Sequence, residues 1–217
     1  HPGDWINLGL PVGLREMERM LDMYYDGPAD TLCFIYHPNL LQQCVHFDRL
    51  ARSGLPAAKV FGWRTDVVGC LWLALRRRLR RWALVRRGDF MVMRQDGVSY
   101  NVDLRYCRAN LATHAGLLRQ EAGRLRSIVS RFQRTLIFRV PIKQDLAANL
   151  RPDNQAAKSL VQHYEQVWQE FTAGLSDCAT VTLIKLGGFG LADFHGRDTH
   201  WNRQGNRRFA DLANRAC

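Results

Sequence analysis

An acid and a histidine lie two residues apart near the C-terminus. They are Asp198 and His200, in the sequence D-T-H-W-N that spans residues 198–202. A carboxylate at this spacing can orient an imidazole as a general base. The segment follows a predicted buried strand over 180–186 and a glycine-rich loop, and it precedes a predicted helix over 204–214. A surface loop in which the two residues meet by chance is the alternative, because such short patterns recur freely.

Metal-assisted hydrolysis by His195, Asp198 and His200 is a second possible chemistry for this segment. We rank it lower because no further cluster of ligands accompanies these three residues. The six cysteines show no C-x-x-C pair and no spacing typical of zinc sites. The sequence therefore predicts no metal and no other cofactor, and a chain of this size does not need a disulfide framework.

The N-terminal part alternates between strand and helix patterns. A short strand is predicted over 5–8, an amphipathic helix over 15–25, and a strand over 31–36 whose continuous apolar run is typical of a strand covered on both faces. This alternation predicts a parallel sheet, and ligands bind at the C-terminal ends of its strands. Residues 9–13 and 37–39 fall at such ends.

Residues 40–135 read as one long, mostly helical insertion before the next strand of the sheet. We predict one single domain over 1–217 that contains this insertion. The elements predicted in and after the insertion are a helix over 67–85, a hairpin over 90–95 and 98–104 turned by Asp96-Gly97, a helix over 110–132, a strand over 136–140, and a helix over 155–173.

The net charge of +11 is concentrated in the middle of the chain, since residues 63–140 carry 17 basic and 5 acidic groups. Residues 71–87 contain seven arginines and no acid. As a helix they would suit an anionic bilayer or a partner, and they would equally suit a solvated helix that packs its leucines inward. Nucleic acid ranks last, because no known binding motif accompanies the charge. The proposed membrane or partner surface comprises Arg76, Arg77, Arg80, Arg81 and Trp82.

Four short segments follow one another in order along nearly the whole chain. They are N-L-G-L-P-V-G at 7–13, F-I-Y-H-P-N at 34–39, V-P-I-K at 140–143 and D-T-H-W-N-R-Q-G at 198–205. Together they resemble blocks of the SGNH (GDSL-like) hydrolase superfamily, and the final D-x-H spacing is similar to that of its alginate O-acetyltransferase branch. The resemblance implies a three-layer α/β/α sandwich with a mainly parallel, flavodoxin-like sheet.

By this resemblance His200 is the general base and Asp198 the acid that orients it. Asn39 donates its side-chain amide to the oxyanion, and a backbone N–H near Val12 or Gly13 is the second donor. The implied activity is that of an ester hydrolase or an O-acyltransferase, in particular an acetyltransferase, and carbohydrate esters are plausible substrates.

The chain departs from the family at three points. Gly13 lies one place later than the glycine of the second block, and Leu40 stands where an acid usually follows the asparagine. The first block, which carries the nucleophilic serine on a central strand, has no counterpart. We expect the natural chain to begin upstream of His1 and to supply that strand and serine, since the sheet would otherwise hold unpaired edges.

Two functions of different classes therefore remain open. The first is the SGNH-type esterase or O-acyltransferase. The second is a catalytically inactive SGNH-like domain that serves as a structural or docking subunit of a membrane-associated assembly through residues 71–87. Membrane-associated or extracytoplasmic localisation is favoured over cytoplasmic. No run of eighteen apolar residues exists, so the sequence predicts no membrane-spanning helix.

Overall fold

The computed structural model describes residues 14–24, 29–38, 40–41, 45, 75–76, 78–79, 90–104, 110–196 and 200–216. Within them the chain is a mixed α/β protein built around a three-stranded sheet and a separate hairpin. The strands of the sheet are β1 (Ala29–Tyr36), β4 (Phe132–Arg139) and β5 (Val181–Lys185), and those of the hairpin are β2 (Phe90–Gln95) and β3 (Val98–Asp103).

Five helices of eight residues or more surround these strands in the described part of the chain, together with one 3-10 turn at Leu191–Asp193. The two longest begin at asparagines, Asn110 and Asn154, whose side chains accept hydrogen bonds from backbone N–H groups of the first turn. The helices are α1 (Leu14–Tyr24), α2 (Leu111–Val129), α3 (Lys143–Leu150), α4 (Gln155–Ala173) and α5 (Arg203–Ala216).

The sheet is parallel, as predicted, with β4 between β1 and β5. Its last complete row joins Tyr36, Arg139 and Lys185, one residue from each strand. The C-terminal ends of the three strands therefore lie side by side. The segments that leave this edge are neighbours in space although they are far apart in sequence.

Side chains that alternate along the strands pack against different helices. Tyr36 and Ile137 are buried with residues of α2 and α4, and the Tyr36 ring lies 4.7 Å from that of Trp168 and 5.5 Å from that of Phe171. Leu136, Phe138 and Val140 pack instead with residues of α5, where the rings of Phe138 and Phe209 are 5.7 Å apart. The apolar side chains of β4 therefore contact α2 and α4 on one side of the sheet and α5 on the other.

The hairpin is attached to the body of the molecule by a core of its own. Met93, Tyr100, Val102 and Leu104 are buried together with residues of α3 and α4. Its turn has Asp96 and Gly97 at positive φ, as the D-G pair predicts. Although it belongs to the predicted insertion, the hairpin is packed against elements that follow β4.

Most predicted elements are present with small shifts, and three differences have clear causes. Helix α2 ends at Val129, because Phe132, which continues its seven-residue apolar repeat, instead begins β4 opposite Ala29. Helix α3 was not predicted. Strands β1 and β5 are only partly covered: Ile35 and Leu183 are exposed, because each lies on an outer strand of the described sheet. The predicted strand 5–8 and most of helix 67–85 lie outside the described residues.

No helix in the described ranges is both long enough and apolar enough to cross a lipid bilayer.

Candidate functional site

The candidate site lies at the C-terminal edge of the sheet. β1 continues into His37 and Pro38, and the backbone N–H of Leu40 donates to the carbonyl of His37 at 2.9 Å, closing a tight turn. β4 continues through Val140 and Pro141 into α3, and β5 continues into the glycine-rich loop. This is the edge at which the sequence predicted ligand binding.

The loop that carries His200 is held closed by backbone hydrogen bonds. This His200 loop runs from Asp193 to Asn202, and its described residues are 193–196 and 200–202. The N–H of His195 donates to the carbonyl of His200 at 3.0 Å, and the N–H of Asn202 donates to the carbonyl of Asp193 at 2.9 Å. Phe194 and Trp201 form an antiparallel bridge between these two bonds. His200 therefore lies on the short, paired stem of this loop.

Trp201 fastens this stem to the end of β4. Its indole Nε1 donates to the carbonyl oxygen of Pro141 at 3.3 Å. Its ring is stacked on that of Phe189 at 5.2 Å and lies 5.3 Å from that of Phe209. Because Trp201 is the next residue in the chain, these contacts place His200 at the C-terminal edge, and the His200 side chain is exposed there.

Asn202 links the loop to the start of α5. Its Oδ1 accepts hydrogen bonds from the N–H groups of Gln204 at 2.8 Å and Gly205 at 3.1 Å, which is N-capping. Its Nδ2 donates back to the carbonyls of Ala192 at 2.6 Å and Phe194 at 3.1 Å. One amide thus fixes both the start of α5 and the backbone at Ala192 and Phe194.

Asp193 connects the same loop to the glycine-rich segment after β5. It is buried, and its Oδ2 accepts from the N–H of Gly190 at 2.8 Å. The Nε of Arg208 lies 3.2 Å from Oδ1 and 3.1 Å from Oδ2, and Nη1 of Arg208 donates to the carbonyl of Gly188 at 2.8 Å. Glycine is favoured at position 188, because residues with a side chain rarely adopt its φ of +76°. The buried carboxylate is compensated by a charge that also fixes the loop.

A fully buried lysine lies beneath the His200 loop. Lys143 is the first residue of α3, and its Nζ donates to the carbonyls of His195 at 2.6 Å, Asn101 at 3.2 Å and Gly196 at 3.2 Å. The N–H of Asn101 also donates to the carbonyl of Gly196 at 2.7 Å. Lys143 therefore lies where α3, the hairpin and the His200 loop meet.

Charged groups on β4, β5 and α4 form a cluster next to the last row of the sheet. The carboxylate of Glu165 accepts hydrogen bonds from both Arg139 and Lys185. Burial alone raises the pKa of Glu165, but the hydrogen bond from Lys185 and the charge of Arg139 outweigh it, and the pKa lies below its usual value. Glu165 is thus ionised, and it joins the ends of two neighbouring strands.

Asp145 in the first turn of α3 has the opposite tendency. Burial raises the pKa of Asp145 above its usual value, and this effect outweighs the hydrogen bond from the N–H of Ile142 and the charge of Arg139. Its Oδ2 accepts that N–H at 2.9 Å, while Oδ1 has no hydrogen-bond partner among the described residues. Ionised Asp145 is therefore destabilised in the folded protein relative to the unfolded chain.

We expect this carboxyl to leave a signature in the pH dependence of stability. A raised folded-state pKa contributes stability that is present below the unfolded-state pKa and lost as the pH rises through the folded-state pKa. The variant Asp145→Asn keeps an acceptor for Ile142 but cannot ionise, so it should gain stability relative to wild type as the pH rises from 4 to 7. Urea unfolding across this range measures the difference. Asp153→Asn, at an exposed position beyond α3, is the control, and an equal gain there would contradict the assignment.

The structure describes three of the residues that the sequence singled out for function. His200 is at the expected edge, and His195, a candidate only for metal-assisted hydrolysis, is exposed in the same loop. Arg76 is exposed on a helical segment beside the exposed Leu75 and Leu79. The remaining predicted site residues lie outside the described residues, so their convergence with His200 remains a prediction. They are Asp198, Asn39, Val12, Gly13, Arg77, Arg80, Arg81 and Trp82.

Three structural residues of the site were not predicted: Lys143, Asp193 and Asn202. Each acts mainly through backbone groups that are distant in sequence or on the opposite side of a turn. Asn202 alone had a recognisable signal, because an asparagine directly before a predicted helix is typical of an N-cap.

Among the described residues, no group of three or more histidine, cysteine, aspartate or glutamate side chains is arranged to hold a metal ion. Comparison with known proteins gave no family model, no curated protein and no solved structure that matches this chain.

Proposed function

We propose that the chain is an SGNH-type serine ester hydrolase or O-acyltransferase, with His200 as general base and Asp198 as the acid that orients it. Asn39 and a backbone N–H near Val12 or Gly13 form the oxyanion hole. Esters of carbohydrates, acetyl esters above all, are the proposed substrates. The proposed architecture is a three-layer α/β/α sandwich with the insertion over 40–135.

The observation that carries this proposal is the anchoring of Trp201 to Pro141. It favours a position for His200 at the C-terminal edge of a parallel sheet, one strand away from the end of β1, after which Asn39 follows in the sequence. In such sheets the C-terminal edge is where ligands bind. An exposed histidine on a closed stem is also what a general base needs, because the imidazole must reach substrate from a fixed backbone.

The reaction assigns one role to each group. The base accepts the proton of a serine hydroxyl as its oxygen attacks the ester carbonyl, and it later returns the proton to the leaving alcohol. The oxyanion donors stabilise the negative charge that develops on the carbonyl oxygen.

The described serines, Ser99, Ser127, Ser130, Ser159 and Ser176, lie on the hairpin, α2, α4 or the turns that follow these helices. The proposed nucleophile is therefore a serine outside the described residues.

The test is active-site labelling of the full-length natural protein with a fluorophosphonate, which reacts with activated serines. We expect one labelled serine, identified by peptide mapping, and hydrolysis of p-nitrophenyl acetate that is lost on labelling. Pre-incubation with an acetylated oligosaccharide substrate should protect the serine. Absence of both labelling and hydrolysis in the folded full-length protein would refute the esterase assignment.

A second candidate, docking to an anionic membrane or a membrane complex through residues 71–87, is favoured by one observation. Leu75 is 50% exposed and Leu79 is 59% exposed, and Arg76 and Arg78 beside them are also exposed. Leucines at i and i+4 that face solvent between arginines are typical of interfacial helices, not of helices that pack inward. This function is compatible with an active or an inactive site.

Binding to lipid vesicles tests this surface directly. The double variant Leu75→Asn/Leu79→Asn should bind phosphatidylserine-containing vesicles at least about tenfold more weakly than wild type, because two exposed leucines no longer enter the interface. The matched control is Val92→Asn/Val98→Asn, since these hairpin valines are 47% and 45% exposed. Co-sedimentation measures both. Equal losses in the two variants, or no binding by wild type, would contradict a lipid-binding role for residues 71–87.

A further inference from the structure

The buried side chain of Lys143 donates hydrogen bonds to backbone carbonyls on two separate segments. A lysine Nζ carries three N–H donors, and the carbonyls of His195, Gly196 and Asn101 accept from it. Two of these residues are in the His200 loop and one is in β3. A buried charge is tolerated only when its donors are satisfied in this way.

The hairpin and the His200 loop also touch without the lysine, and this contact leaves no spare room. The N–H of Asn101 donates to the carbonyl of Gly196. A Cβ added at Gly196 would lie 2.7 Å from the carbonyl oxygen of Ser99. The loop backbone is thus seated directly against β3, with Lys143 below both.

From this geometry we propose that Lys143 is a positioning residue for His200: it fixes the stem of the His200 loop against the hairpin, so that the hairpin within the insertion is part of the catalytic scaffold. The bearing on catalysis rests on the proposed esterase or acyltransferase function. The attachment of the His200 loop to the hairpin and α3 does not rest on that function, because it concerns only contacts among these three segments.

The coupling is specific to this position on α3. The next residue, Gln144, is equally buried and donates to the carbonyl of Asp103 in β3 at 3.1 Å. It holds the hairpin but makes no hydrogen bond to the described residues of the His200 loop. Gln144 is therefore a matched control: it shares the helix, the burial and the contact with the hairpin, but it lacks the two side-chain hydrogen bonds that Lys143 makes to the His200 loop.

The first test is hydrogen exchange on the folded protein. In Lys143→Met, exchange at the amides of His195, Asn101 and Asn202 should accelerate by about tenfold or more, because local opening no longer breaks three charge-assisted bonds. Strand β4 and helix α4 should keep their protection. Gln144→Met should leave residues 195–202 unchanged, and Lys143→Arg should restore part of the protection. Unchanged exchange in Lys143→Met, or the same acceleration in Gln144→Met, would overturn the proposal.

A measurement on the wild-type protein covers the case in which Lys143→Met does not fold. In native-state exchange with increasing denaturant, the amides of Asn101 and His195 should open in one cooperative step with a shared dependence on denaturant. Opening of the two amides in separate steps would overturn the coupling.

Catalysis is the second readout and separates the two proposals. Lys143→Met should lower kcat at least about tenfold with little change in KM, since the base is misplaced while the binding surface remains. Gln144→Met should retain both constants. A loosened loop with unchanged kcat would refute the positioning role alone, whereas an inactive wild-type protein would refute the esterase proposal and leave the exchange result standing.

Discussion

Replacing His200 by alanine is expected to lower kcat for ester hydrolysis by about 100- to 10,000-fold, which is the usual contribution of a general base. The fold should be retained, because the side chain is exposed and the stem of the loop is held by backbone bonds and by Trp201. Steady-state kinetics with p-nitrophenyl acetate measure the loss, and circular dichroism verifies the fold.

The control for this variant is the neighbouring histidine. His195 is also exposed in the same loop, and its contacts to His200 and Lys143 are made by backbone atoms that alanine retains. His195→Ala should therefore keep nearly full activity. Comparable losses in the two variants would favour metal-assisted hydrolysis, for which both imidazoles are candidate ligands.

The second large effect is expected at Gly205, at the start of α5. A Cβ there would lie 2.3 Å from the carbonyl oxygen of Asp193 and 2.9 Å from the Cβ of Trp201. Neither neighbour can withdraw easily, because the Asp193 carbonyl accepts from Asn202 and the Trp201 ring is packed between Phe189 and Phe209. Gly205→Ala should lower the free energy of unfolding by about 2–3 kcal/mol, as overpacking does.

A glycine-to-alanine change elsewhere gives the opposite expectation. Gly123 lies in the exposed face of α2, and nothing is within 4 Å of the position that its Cβ would occupy. Gly123→Ala should raise the free energy of unfolding by about 0.5–1 kcal/mol, because alanine loses less backbone entropy in a helix. Urea unfolding of both variants should therefore show shifts of opposite sign. A change of less than about 1 kcal/mol in Gly205→Ala would contradict this expectation, because it would show that Asp193 and Trp201 can move away from the added Cβ.

The fold could be predicted from sequence wherever hydrophobic periodicity was long or turn chemistry was specific. Helix α4 has the predicted bounds because nineteen residues carry one apolar face, and the hairpin follows from the D-G pair between two apolar runs. Helix α3 escaped prediction for a physical reason. It has only eight residues, and its buried positions include Lys143 and Gln144, which a pattern of apolar residues reads as solvent-facing.

The place of His200 in the fold could be predicted from the sequence, but the contacts that hold its loop could not. The D-x-H spacing after a strand indicated the loop, and strand alternation indicated the edge of the sheet where His200 lies. The supports of the loop depend on carbonyl groups of Asn101, Pro141 and Ala192, which any residue type could supply. A backbone carbonyl accepts a hydrogen bond whatever side chain its residue carries, so the amino-acid sequence does not indicate which residues accept these bonds.

The pairing of β1 with β4 has a consequence for the order in which the molecule folds. Ala29 is opposite Phe132, so about a hundred residues must be synthesised between the two strands before β1 and β4 can pair. The His200 loop closes later still, since its stem follows β4 and β5 in the chain and contacts the hairpin, Pro141 and α3. Until β4 has been synthesised, the edge of β1 that pairs with it is open to association with other chains. The edge of the sheet that carries His200 is therefore completed only after β1 and β4 have paired.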